Sequence, residues 1–271
     1  MTRNKLIATL FIVLMLILIG IILAFRFAFY GNPITKVLAD KAIKKYVEQN
    51  YSFLDLEVDK TLYNFKAESY MAQATSKTSV DTHFYIYYRD GKIIRDEYET
   101  NVLGKYNTLE RWAEECSQLV VPILAQVPGL ENNRSRVEID KSEYEKPNKI
   151  IRLDMNFDKG IPINMKLHIR ADLTGNSLKN IAEIFEKSHQ VLLNNGYVFS
   201  AYNIFSENQE VLIMVNDVKP SDIDSGELEK LLLDAQGYSV RQLAGETTAD
   251  PPPSTGITIF IKDGSKSSNK L

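Results

Sequence analysis

Three histidines, one cysteine and several close acid pairs are the side chains with which this 271-residue chain could do chemistry. His83, His168 and His189 have spacings that fit no metal motif, and neither His-x-x-Glu nor Cys-x-x-Cys occurs. Cys116 is the only cysteine, so no intrachain disulfide can form. It falls on the apolar face of a predicted helix, where cysteine serves as a small buried hydrophobe, and no lipobox-like context precedes it. Asp154, Asn156 and Asp158 alternate as in a calcium loop, but the sixth position is Lys159 instead of Gly and the twelfth is Met165 instead of Glu. Glu97 with Glu99, Glu114 with Glu115, and Asp222 with Asp224 are close carboxylates. A general acid and base need environments that drive their pKa values apart, and nothing in the sequence buries these pairs. There is no Gly-x-Ser-x-Gly elbow, Walker loop or dinucleotide fingerprint. No catalytic residue, metal ligand or cofactor is therefore assigned, and an enzyme is the minority reading.

Tyrosine is the unusual residue. There are 14, with Tyr85, Tyr87, Tyr88, Tyr98 and Tyr106 close together. A phenol is apolar in body and polar at its tip, which suits contact surfaces. In the aromatic run Thr82 to Tyr88, THFYIYY, His83 alternates onto the same side as Tyr85 and Tyr87. Such a side is either a half-buried sheet face or a protein-binding surface. On the second reading His83, Tyr85 and Tyr87 contact the partner. Acids and bases are mixed along the chain, and the net charge is −3. Without a basic stripe, a nucleic-acid partner has no electrostatic support.

The elements that would carry this surface begin behind a membrane segment. Leu6 to Phe25 reads LIATLFIVLMLILIGIILAF, 20 residues without a charge, 15 of them Leu, Ile, Val or Phe. That length spans a bilayer core as a helix, with insertion favoured by roughly 5–9 kcal/mol. Arg3 and Lys5 flank one end, and Arg26 and Tyr30 the other. A cleaved signal peptide would have a shorter apolar stretch ending in small residues, whereas FRFAFYGNP is bulky, so a retained single-pass anchor in the lipid bilayer is expected. A plain Lys/Arg count would keep the large domain inside, yet long domains translocate regardless of charge. Residue patterns alone leave orientation open.

Asn32-Pro33 is a helix start, followed by Ile34, Val37, Leu38, Ala42, Ile43, Tyr46 and Val47 at helical spacing. This helix would cover a sheet or lie on the membrane surface. Alternating segments around Leu56, Ala72 and Thr82–Tyr88, then an Asp90-Gly91 turn and a return strand from Ile93 to Tyr98, predict an antiparallel meander. The clearest amphipathic helix runs from Leu109 to Val127 with Trp112 inward, assigned to the first domain. The polar stretch Glu131 to Arg136 reads as a boundary. Beyond it, Ile151 to Phe157 and Ile161 to Ile169 alternate as strands about a hairpin turn at Asp158-Lys159-Gly160. A helix from Ser177, a hairpin over Tyr197–Ser206 and Glu210–Val215, a short capped helix at Leu231–Leu233 and a strand Ile257–Ile261 complete it. The expected fold class is α+β: an N-terminal transmembrane helix, then two small domains, each an antiparallel sheet packed by helices. Its divisions are 1–30, 31–130, 131–262 and a disordered tail at 263–271.

Several stretches together carry a family resemblance. They are GNPITKVLADKAIKKYVEQNY, Tyr63-Asn64-Phe65-Lys66, SVDTHFYIYYRDGKI, NTLERWAEECSQLVVPIL and, later, VNDVKPSDIDSGELEKLLLDA. The ensemble resembles the YfjL-like proteins of Bacillus and its relatives. That resemblance implies a membrane-anchored protein with an N-terminal domain similar to PepSY-type modules and a separate C-terminal domain outside the cell. It brings no catalytic residues. The expected function is a protein-binding or regulatory module of the cell envelope, with an envelope protein as partner. The alternative is an envelope hydrolase, or an inhibitor of an envelope enzyme.

Overall fold

The charge-free apolar run from Leu6 to Phe25 forms the body of the first helix, α1 (Arg3–Tyr30), with Arg3, Lys5 and Arg26 at its two ends. The computed structural model describes residues 3–145, 149–173, 177–207, 211–243 and 255–263. Prolines 251–253 and the segment 264–271 lie outside them. α1 is long and apolar enough to cross a membrane, with a mean hydropathy of 2.9 in its most apolar window and none of that window buried. Gly31 stops it in the left-handed region at φ 72°, where glycine pays no Cβ penalty. The Asn32 side chain then caps α2 (Pro33–Asn50), Oδ1 accepting from the Ile34 amide at 2.8 Å.

The chain divides into two compact units, residues 1–107 and 108–271. In the first, α2 packs on a sheet of β1 (Leu56–Val58), β2 (Leu62–Asn64), β3 (Ser69–Ser76), β4 (His83–Arg89) and β5 (Lys92–Asp96). The order is β1-β3-β4-β5 with β2 also on β3, and every pairing is antiparallel. Asp90 and Gly91 both take positive φ, 51° and 83°, as the two-residue hairpin turn requires. Ala39, Ile43 and Val47 of α2 are buried, as are Tyr70, Ala72, Ala74, Phe84, Ile86 and Tyr88 on the sheet. Strict alternation along β3 and β4 sends those sheet residues to one face. Ile34, Val37 and Leu38, expected on the covered stripe, are exposed instead. A π-helical turn, Tyr98–Leu103, follows β5.

The second unit takes α3 (Tyr106–Leu124), which the sequence pattern assigned to the first domain. The division falls after Asn107, not after 130. The physical reason is where α3 finds its apolar partners: Leu109, Trp112, Cys116, Val120 and Leu124 join one buried cluster with Val137, Leu167, Phe185 and Ile213. Nor is the polar run a linker. Asn133 donates from Nδ2 to the carbonyls of Val121 and Leu130 at 3.1 and 2.9 Å, so its amide satisfies carbonyls near the end of α3.

β6 (Arg136–Ile139), α4 (Lys141–Glu145), β7 (Met165–Arg170), α5 (Leu178–Asn194), β8 (Ala201–Glu207), β9 (Val211–Val218), α6 (Pro220–Asp224), α7 (Leu228–Leu243) and β10 (Thr258–Asp263) follow. The sheet order is β10-β9-β8-β7-β6. It is mixed rather than antiparallel throughout, because β7 and β8 run parallel with α5 as the crossover. Gly196, at φ 77°, follows the end of α5. Two further expectations change. Residues 151–157 alternate but form no strand: Trp112 Nε1 and Arg111 both donate to the Met155 carbonyl at 2.7 Å, and Glu115 accepts from the Phe157 amide at 3.3 Å. Side chains of α3 thus take the backbone groups that a ladder would need, and Asp154 sits at φ 61°. The capped helix is two pieces, α6 with Asp222 in its capping box and α7, which continues through Gly237.

Candidate functional site

Register decides which tyrosines share a surface. Met71 pairs with Tyr87, Gln73 with Tyr85 and Thr75 with His83 across β3 and β4, and Tyr87 pairs with Arg95 across β4 and β5. All lie on the face opposite α2. Among the described residues of the first unit, no helix covers this face. His83 and Tyr85 are half-buried along with Met71 and Gln73, while Leu62, beside Met71, is exposed. The structure therefore brings His83, Tyr85 and Tyr87 together on one face, with Tyr87 the most buried of the three, covered in part by Arg95. Tyr88 and Tyr98 go to the helix side, where the Tyr98 ring lies 5.2 Å from Phe84 and 4.8 Å from Tyr51.

Neighbours fix each ring. His83 Nδ1 and Gln73 Nε2 are 3.3 Å apart, and the rings of Tyr85 and Tyr87 are 6.4 Å apart. The Arg95 guanidinium lies 3.9 Å above the Tyr87 ring, a cation–π contact. Tyr87 donates its hydroxyl to Glu97 Oε1 at 2.6 Å, and Asn101 donates to Glu97 Oε2 at 3.3 Å from the π-helical turn. One residue earlier, Asp96 serves the other face: its Oδ2 accepts from Tyr46 at 2.5 Å and Tyr51 at 2.9 Å. Burial and then the Glu97 hydrogen bond push the Tyr87 phenol up to about 12. Burial and Asp96 likewise raise those of Tyr46 and Tyr51. These phenols stay neutral near pH 7. On the side of His83 and Tyr85, Tyr87 thus serves as a hydrogen-bond donor with an apolar ring.

Sequence reasoning did not single out Met71, Gln73, Arg95 or Glu97 as members of this surface. The period-two count along β3 pointed to the first two, but Arg95 and Glu97 depend on a register shift at Tyr87/Tyr88 that leaves no pattern. The remaining candidates lie apart. Cys116 is fully buried and its thiol is pushed up to about 12 by that burial, which opposes a nucleophilic role. His168 Nε2 lies 2.8 Å from Glu138 Oε2, and His189 Nδ1 lies 2.7 Å from the hydroxyl of the buried Tyr202. No cluster of three metal-ligating side chains occurs among the described residues. A cavity of about 470 Å³ in the second unit is lined by Glu131, Asp172, Glu183 and Lys187 among others. Its carboxylates are largely exposed, with Asp172 paired to Arg134 and Glu183 to Lys187.

Comparison with known proteins gives two matches along the chain. Residues 5–97 match the family model described as the YfjL-like N-terminal domain, and residues 115–233 match the YfjL-like C-terminal domain. The interval between the matches contains the division after Asn107. The chain is similar to a Bacillus subtilis (strain 168) protein described as "Uncharacterized protein YfjL", with 24% identity over 196 residues, covering 69% of this chain and 79% of that protein. No solved structure matches.

Proposed function

We propose that this chain, a YfjL-like protein carrying both domains of that family in order, is a membrane-anchored binding module of the cell envelope. Its partner is an envelope protein docked on the sheet face of the first unit opposite α2, with His83, Tyr85 and Tyr87 as central contacts. The first unit is read as a PepSY-type module. The observation that carries the reading is the placement of those three side chains, with Met71, Gln73 and Arg95, on the sheet face opposite α2. Exposed apolar surface rimmed by polar groups is characteristic of interaction sites.

Anchoring by α1 draws on the join between α1 and the sheet. The Phe29 ring lies 5.4 Å from Phe65, and Tyr70 accepts from the Asn32 amide at 2.6 Å while donating to the Asn32 carbonyl at 2.9 Å. Exposed Tyr30, Ile34, Val37 and Phe65 surround that join. Removing α1 would leave Ile34, Val37 and Phe65 exposed to water, whereas at the edge of a bilayer they gain lipid contact. The large domain is placed outside the cell, as the family resemblance suggests.

A photo-crosslinking amino acid at position 85 in living cells tests the docking face, with position 41 on exposed α2 surface as the comparison. A discrete adduct at 85 that Tyr87→Ala abolishes is expected. Equal labelling at 85 and 41 would remove the face from consideration. Protease added to cells stripped of wall should digest the soluble part and leave a small membrane fragment; complete protection would refute the outside placement.

A further inference from the structure

Four side chains that are or can become cationic form a square on the outer face of the second sheet. Arg136 pairs with His168 across β6 and β7. Two residues on, the Arg134 amide donates to the Arg170 carbonyl at 2.7 Å, so these two arginines face each other in the same register. Buried Ser135, Val137 and Ile169 alternate with them, which places all four on one side. Like charges directly opposite one another destabilise a sheet. Counter-charge reaches only part of the square: Asp172 pairs with Arg134 at 2.9 Å and Glu138 with His168 at 2.8 Å. Among the described residues, no carboxylate pairs with Arg136 or Arg170. The Arg170 guanidinium instead lies 4.8 Å from the centre of the Phe205 ring. The group lines a cavity of about 410 Å³ holding three arginines against one acid, in a chain whose net charge is −3.

We propose that this cavity binds a phosphate-bearing ligand. Guanidinium groups are planar donor forks matched to oxyanions and hold their charge at any physiological pH. Three of them, Arg136 on β6, Arg170 on β7 and Arg134 just before β6, suit a tetrahedral group with three acceptor oxygens better than a planar carboxylate with two. Phe205 supplies an apolar wall on which Arg170 is already stacked. A concave wall with an excess of positive charge also concentrates anions.

The test uses the full chain in phosphatidylcholine nanodiscs, titrated calorimetrically with tripolyphosphate. Arg136→Gln and Arg170→Gln should each weaken binding at least tenfold, while Lys262→Gln, on β10 at the far edge of the sheet, should change it less than twofold. Without ligand both arginine variants should melt at or above the wild-type temperature, since the substitution relieves repulsion. Displacement of tripolyphosphate by discs containing phosphatidylglycerol would assign the phosphate to a lipid headgroup, and failure to displace it to a soluble compound; the site stands in both cases. Absence of binding, equal binding by the arginine variants, or equal binding of citrate would overturn the proposal.

Discussion

Tyr87 and Glu97 are joined by a hydrogen bond of 2.6 Å from the phenol to Oε1, under an Arg95 guanidinium 3.9 Å from the ring. The link ties the face of the first sheet opposite α2 to the residue just before its π-helical turn. Tyr87→Phe keeps the ring and removes the donor. With Tyr87 buried and Glu97 only partly exposed, the expected loss is about 1.5 kcal/mol, the low end of the range for a hydrogen bond to a charged group. The pH dependence has a definite sign. The folded phenol titrates near 12 and an unfolded one near 10, so its contribution is full below pH 10 and is lost as pH rises through 12. In alkaline titrations followed at 295 nm, the phenol missing from the variant should be one that ionises near pH 12. A missing transition near pH 10 would contradict the assignment.

Trp112 is fully buried in the second unit, with its ring 6.1 Å from Phe157 and Nε1 on the Met155 carbonyl. Trp112→Ala should cost about 3–5 kcal/mol, out of a typical total of about 5–15 kcal/mol. Glu114→Ala, on the exposed side of the same helix, should be nearly silent. As the chain has one tryptophan, its emission should be blue-shifted and resist iodide quenching. Red-shifted, readily quenched emission would move Trp112 to the surface.

Cys116 offers an independent reading of the same core. It is fully buried and its thiol is pushed up to about 12. Ellman's reagent should react with it only as fast as the second unit opens, so the native rate should lie orders of magnitude below that in denaturant. Prompt labelling of the native protein would show that α3 is not packed as described.

Gly31 is boxed in. A Cβ there would stand 2.7 Å from both Tyr63 Cγ and the Tyr70 hydroxyl, and φ is 72°. Gly31→Ala should destabilise by more than the roughly 1–2 kcal/mol of left-handed backbone strain alone. Gly91→Ala, at φ 83° with nothing within 4 Å of its Cβ position, should pay only the backbone part. Equal melting shifts for the two would show that contact at Gly31 is relieved without cost.

Periodicity located most elements because one face of each is buried: the alternation from Tyr70 to Ala74 and the helical stripe from Leu109 to Leu124 are core contacts written into the chain. It failed where the competing partner was distant. Residues 151–157 alternate as well as β7 does, yet Trp112, Arg111 and Glu115 claim their backbone groups. Asn133 and Ser135 look like linker polarity until their hydrogen bonds to α3 and the adjoining loop are seen. The side of α3 was legible, but not which unit it faces. On the candidate face, His83, Tyr85 and Tyr87 follow from period two alone. Arg95 and Glu97 join them through a bulge, and short β2 pairs beside β3 without a periodic signature of its own.

The short passage from Phe27 to Asn32 has a mechanical consequence. With the Gly31 amide on the Phe27 carbonyl and Tyr70 holding both the amide and the carbonyl of Asn32, the end of α1 is tied to the first sheet. Torque on the helix passes to the sheet. An α-helix advances about 100° per residue, so the compass bearing of His83, Tyr85 and Tyr87 is written in the residue count of α1. Inserting one residue between Leu6 and Phe25 would swing that face by over a quarter turn relative to the side chains nearer the N-terminus, and lift it by about 1.5 Å.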